Sequence, residues 1–104
     1  MSTYCVTFRI ASKTVNGKTY DDRYEKLIDN LHTGSNGFWA EPTSFILVGS
    51  SLDTNSFAKK IVEGLSRSDD MLFVFDPEDM SACYFGAVDG PDILKSFFPR
   101  AQEI

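Results

Sequence analysis

Histidine is nearly absent from this chain, and that scarcity removes much chemistry. His32 is the single histidine among 104 residues. There are two cysteines, Cys5 and Cys83, and no Cys-x-x-Cys pair, so a zinc site lacks ligands. Both cysteines lie in strand-like runs and read as buried thiols rather than as a disulfide or metal site. No Gly-x-Ser-x-Gly elbow exists to present a nucleophile for acyl transfer, and His32 is the only base available to Ser or Cys. No apolar run approaches the ~20 residues needed to cross a bilayer. The N-terminal Met1-Ser2-Thr3-Tyr4 has no basic region followed by an apolar stretch. The expectation is a cytoplasmic chain with no membrane partner. A formal net charge of -5 argues against broad, phosphate-driven nucleic-acid binding. A local basic patch stays open, with Arg9, Lys13, Lys18, Lys59, Lys60 and Arg67 as its candidate members.

What is present is apolar and strand-like. At 104 residues with 9 Phe and 42% apolar side chains, residues 1–104 suffice for one domain with a real core. The organising stretch is Ser44-Phe45-Ile46-Leu47-Val48-Gly49, apolar on both faces and therefore expected at the centre of a sheet. Tyr4, Val6, Phe8 and Ile10 alternate with Cys5, Thr7 and Arg9, which predicts a strand over 3–10. A polar loop with an Asn16-Gly17 turn follows. Thr19 is a candidate N-cap, and Asp21 and Asp22 favour the positive end of the helix dipole. Tyr20, Tyr24, Leu27, Ile28 and Leu31 then form one stripe, with His32 in the last turn and Gly34 as the stop.

Residues 37–41 read as a short strand that Pro42 ends. Asp53 caps a second helix whose inner stripe is Phe57, Ile61 and Leu65. Residues 66–70 form a polar turn, 71–75 a strand and 81–88 a further strand. Pro91 starts a short helix carrying Ile93, Leu94, Phe97 and Phe98, after which the chain should fray. The order strand, helix, strand, strand, helix, strand predicts an α+β fold. It is a ferredoxin-like βαββαβ sandwich with an extra C-terminal strand and short helix.

The runs Tyr4-Cys5-Val6-Thr7-Phe8, Tyr20-Asp21-Asp22-Arg23-Tyr24-Glu25, Thr43-Ser44-Phe45-Ile46-Leu47-Val48 and Asp70-Met71-Leu72-Phe73-Val74 resemble the CRISPR-associated small endoribonuclease superfamily and its stand-alone relatives. The resemblance spans residues 3–76 and implies a ferredoxin-like homodimer. In that family an aspartate ending the first strand binds metal for phosphodiester cleavage. Arg9 stands at that position here, and a guanidinium cannot replace a metal-binding carboxylate.

Three function classes follow. The leading one is a non-catalytic interaction or regulatory module with no cofactor, homodimeric and open to a protein partner. Its candidate interface is Tyr84, Phe85, Phe97 and Phe98, because open sheet edges and apolar faces need cover. The second is a metal-dependent endoribonuclease using Mg or Mn with Asp21, Asp22 and Glu41 as catalytic carboxylates. Arg9, Lys13, Lys18 and Trp39 are its candidate nucleic-acid contacts, the aromatic by stacking on a base. The third is a small-ligand site in the crevice between sheet and helices. The Gly17-Lys18-Thr19 ending resembles a phosphate loop, but Ser12 stands where that motif needs glycine.

Overall fold

The computed structural model describes residues 1–104. Its elements are β1 (Ser2–Arg9), α1 (Tyr20–His32), β2 (Phe38–Trp39), β3 (Phe45–Ser50), α2 (Thr54–Ile61), β4 (Met71–Phe75), β5 (Ala82–Gly86), α3 (Pro91–Phe97) and β6 (Ala101–Glu103). One six-stranded sheet runs β2-β3-β1-β4-β5-β6. Among the first four strands each neighbouring pair is antiparallel, in the split βαβ order, so the ferredoxin-like expectation holds. β5 extends the sheet antiparallel to β4. The last residues do not fray: β6 pairs parallel with β5, and Ala101 is buried there.

Alternation in β1 sends Tyr4, Val6 and Phe8 to one face. There they meet Ile46, Val48, Leu72 and Val74 from neighbouring strands, and Leu27, Leu31, Phe57 and Ile61 from α1 and α2. Both long helices therefore cover a single face. The ring of Tyr4 stacks on Phe57 at 4.4 Å, joining β1 to α2. Thr19 caps α1 through a capping box: its hydroxyl accepts from Asp22 N–H, and the Asp22 carboxylate accepts from Thr19 N–H. Asp53 does the equivalent for α2 by accepting from Ser56 N–H. Asn30 of α1 donates to the carbonyls of Ile61 and Glu63, satisfying groups that the end of α2 leaves without partners.

The buried stripe of α1 is rotated from the one its apolar residues suggest. Arg23, Leu27, Asn30 and Leu31 are buried, while Tyr24 and Ile28 are half-buried and Tyr20 is exposed. β2 and β5 are also shorter than expected, at Phe38–Trp39 and Ala82–Gly86.

The opposite face has its own, smaller core. Phe73, Ala82, Tyr84 and Ala101 pack there against Leu94, midway along α3, and Phe98, just beyond its end. Phe98 lies edge-on to Phe73 at 5.1 Å and tilted over Phe75 at 4.9 Å. The short third helix is thus a cover for the β4-β5-β6 half of the outer face. No helix of the chain is long and apolar enough to cross a membrane.

Candidate functional site

The register defines the outer face residue by residue. Trp39 pairs with Leu47, Leu47 with Cys5, Cys5 with Phe75, Phe75 with Ala82, and Ala82 with Ala101. Paired residues in a sheet point to the same side, so these form one row across all six strands. A second row runs Phe45, Thr7, Phe73, Tyr84. On the β4-β5-β6 half, α3 and Phe98 lie over these rows. On the β2-β3-β1 half no helix does. Phe45, Leu47 and Cys5 remain half-buried there, and Trp39 is 49% exposed. Arg9 is the one charged side chain of that half-face, and its Nη2 donates to Ala87 O at 3.3 Å.

Of the four aromatic residues expected at an interface, Phe85 is buried in the helix-side core and Tyr84 in the outer-face core. Phe98 is half-buried against Phe73 and Phe75, and Phe97 alone stands mostly free, at 71% exposure. The sequence reading missed the sheet-borne part of the surface, Phe45, Leu47 and Cys5. The double-sided apolar pattern of residues 44–49 was its signal.

The catalytic candidates do not assemble. Asp21 and Asp22 are exposed at the start of α1, and Glu41 is exposed in the loop after β2. Asp22 is already engaged by the N–H of Thr19, which holds its carboxyl below the usual range. No group of three His, Cys, Asp or Glu side chains is placed to hold a metal. Arg9, where the resembled family carries a metal-binding aspartate, ends β1 on the outer face. His32 is exposed and stacks on Phe38 at 4.0 Å.

The loop between β1 and α1 is built for a cation. The Arg23 guanidinium fills it, donating to the carbonyls of Ala11 (2.7 Å), Lys13 (3.0 Å) and Lys18 (2.7 Å). A phosphate loop aims N–H groups inward. Here the N–H groups of Lys13, Val15 and Lys18 bond within the loop, around a turn at Asn16-Gly17, and that of Thr19 bonds Asp22. Behind Arg23 lies Asp70, a residue read from sequence as part of a plain polar turn. Lys13 pairs with Asp69 at 2.6 Å, and Lys18 is exposed. The hydrogen bond from Lys13, with those from Ser66 and Ser68, lowers the Asp69 carboxyl to about 2. Of the four candidate nucleic-acid contacts, Lys13 and Lys18 stand on this loop, Arg9 at the end of β1 on the outer face, and Trp39 on the edge strand.

A polar crevice of about 580 Å³ separates the start of α2 from β5 and β6. Its groups pair with one another. Asn55 Nδ2 donates to Gln102, the Cys83 thiol donates to Asn55 Oδ1, and Thr54 bonds Ser81. Burial pushes the Cys83 thiol up. Burial, aided by the Asp76 carboxylate, does the same to Cys5. Neither cysteine has the environment of a nucleophile. No protein-family model, no curated protein and no solved structure matches this chain.

Proposed function

We propose that this chain is a small, non-catalytic interaction module that works as a homodimer through the outer face of its sheet. One observation carries the reading: the row Trp39-Leu47-Cys5 is apolar, crosses three strands, and has no helix over it. A soluble domain that needed no partner gains nothing by keeping such a row half-exposed. Two unpaired thiols fit a reducing compartment such as the cytoplasm. Metal-dependent cleavage of RNA is disfavoured, because Asp21, Asp22 and Glu41 would have to share an ion and do not converge.

The test is mass by light scattering over a hundredfold range of concentration, beside a cleavage assay with RNA in Mg²⁺ and Mn²⁺. The expected outcome is twice the 11.6 kDa chain mass and no cleavage. A monomer at every concentration removes the reading. Cleavage lost in the Asp21→Ala, Asp22→Ala double variant replaces it with the nuclease.

A further inference from the structure

A second cleft, of about 600 Å³, adjoins the loop that Arg23 fills. Asn16 and Lys18 stand on one wall, from the loop before α1. Ser66, Arg67 and Ser68 stand on the other, from the turn before β4, and Arg23 lies at the base. No carboxylate and no aromatic ring lines it. In a chain of net charge -5, a cleft lined by three cations and no acid is a local reversal of sign.

The walls are braced against each other. Arg23 donates to the Lys18 carbonyl on one side and to Asp70 on the other, and Asp70 accepts from Ser66 N–H. Lys13 and Asp69 add a second tie between the same two segments. A cleft held in this way pays little ordering entropy when a ligand enters.

Its polar groups are unevenly spent. All the donor nitrogens of Arg23 are engaged, so it supplies charge, offset by Asp70, and no further bond. The two salt bridges of the chain belong to Lys13 and Arg23, which leaves Lys18 and Arg67 without a carboxylate partner. Asp22, within electrostatic reach of Lys18, is engaged by Thr19 N–H. Arg67 donates from Nη1 to Ile104 O at 2.6 Å and lies over the Phe85 ring at 4.7 Å. These contacts position the guanidinium and leave Nε and Nη2 free. The serines offer the opposite. Ser66 and Ser68 donate their hydroxyls to Asp69 Oδ2, at 2.8 and 3.1 Å, so what they have left is lone pairs. The exposed Asn16 carboxamide supplies both a donor and an acceptor.

We infer that this cleft binds a phosphorylated sugar or polyol, with phosphate between Lys18 and Arg67 and hydroxyls on Ser66, Ser68 and Asn16. Cations alone would take any anion, and the serine acceptors add the preference for hydroxyls. A nucleotide base finds no ring to stack on. The volume falls within the ~300–1,000 Å³ of small-molecule sites. Lys18 then serves phosphate through its side chain, without a wrapped glycine loop. The site uses no residue of the outer face, so it stands or falls separately from the homodimer reading.

The experiment titrates the chain with glycerol-3-phosphate, glucose-6-phosphate and ribose-5-phosphate, read from backbone amide chemical shifts. Glucose, inorganic phosphate and adenosine monophosphate are run beside them. At least one sugar or polyol phosphate should give saturable shifts at residues 16–18 and 64–68, and bind at least tenfold tighter than glucose or inorganic phosphate. Lys18→Ala and Arg67→Lys, the second keeping the charge but losing the fork, should each weaken that binding about tenfold or more. Lys59→Ala, which removes one charge from exposed α2, should change it less than about twofold. Spectra of the free variants, unchanged away from the substitution, confirm that they fold. No saturable shift with any of the three up to ~10 mM overturns the inference. So does inorganic phosphate binding as tightly, which makes the cleft a bare anion site. Adenosine monophosphate binding tenfold tighter than ribose-5-phosphate would assign it to a base. Equal losses in Lys18→Ala and Lys59→Ala would reduce it to general charge attraction.

Discussion

Arg23 donates from Nε to Oδ2 of Asp70 at 3.0 Å, and both side chains are buried at 1% exposure or less. No hydrogen-bonding valence is idle. The guanidinium also reaches Asp70 Oδ1 at 3.4 Å and three loop carbonyls, and the carboxylate accepts from the N–H groups of Ala11 (2.9 Å) and Ser66 (2.8 Å). The pair thus pins the loop before α1 to the turn before β4. Removing one partner leaves the other buried, charged and surrounded by unsatisfied backbone, a loss of about 3–5 kcal/mol. Arg23→Met and Asp70→Leu should each lower the stability read from urea unfolding by that amount. The double variant should recover part of it, the remainder being the backbone groups that lose their partners. Single variants within about 1 kcal/mol of wild type would show that the pair does not hold the loop.

The carbonyl of Asp70 places a second constraint nearby. It accepts from Ala87 N–H at 2.9 Å, and a Cβ on Gly86 would lie 2.0 Å from it, at a φ of +87°. Gly86→Ala should therefore separate the end of β5 from residue 70 and cost more than ~2 kcal/mol. Gly17→Ala has a similar φ of +79° but open space around the Cβ, so only the backbone cost of about 1–2 kcal/mol applies. Equal losses for both, read from denaturant midpoints, would contradict the clash.

Acid should loosen the fold in a defined window. Asp22, Asp53 and Asp79 are lowered from 3.8 chiefly by hydrogen bonds from neighbouring backbone N–H groups or the Ser81 hydroxyl, and Asp69 is lowered to about 2 chiefly by Lys13. A carboxyl whose folded pKa is depressed contributes stability that is present above its unfolded value and lost as pH falls through the folded one. Stability should be flat above about pH 5, fall from about pH 4, and for Asp69 continue falling to about pH 2. Urea midpoints measured across that range test this. A midpoint that rises as the solution is acidified through that window would contradict it.

Both thiols should be sluggish. Burial raises Cys5 and Cys83 above 9.0, so little thiolate exists near neutrality. With Ellman's reagent at about pH 7.5 the native chain should react slowly at both positions and rapidly once unfolded. A fast native phase assigned to Cys5 by mass would mean that the outer face at β1 is more open than described.

The frame of the fold was legible because it is local. Alternation in β1, the caps at Thr19 and Asp53, and the turn at Asn16-Gly17 each depend on neighbours within a few residues. What was missed depends on distance along the chain. Arg23 looks like a surface residue until Asp70, 47 positions away, is placed behind it. Residues 101–103 have no strong strand pattern, and their order comes from pairing with β5. The interface aromatics were half legible for the same reason. Composition marks Tyr84, Phe85, Phe97 and Phe98 as many aromatics for a short tail, but only the register sends Phe85 inward, lays Phe98 on the sheet and leaves Phe97 out. Asp21 and Asp22 read equally well as caps or as metal ligands, and the hydrogen bond of Asp22 to Thr19 favours the cap.

The most direct test uses the one tryptophan of the chain, which lies on the uncovered half-face. Trp39 emission is recorded while the protein is diluted over several decades, with mass followed in parallel. The expected result is a blue-shifted spectrum at high concentration that moves to the red on dilution, with the same midpoint as the change from dimer to monomer. A dimer that dissociates while Trp39 emission stays constant would place the contact elsewhere on the molecule and contradict an outer-face interface.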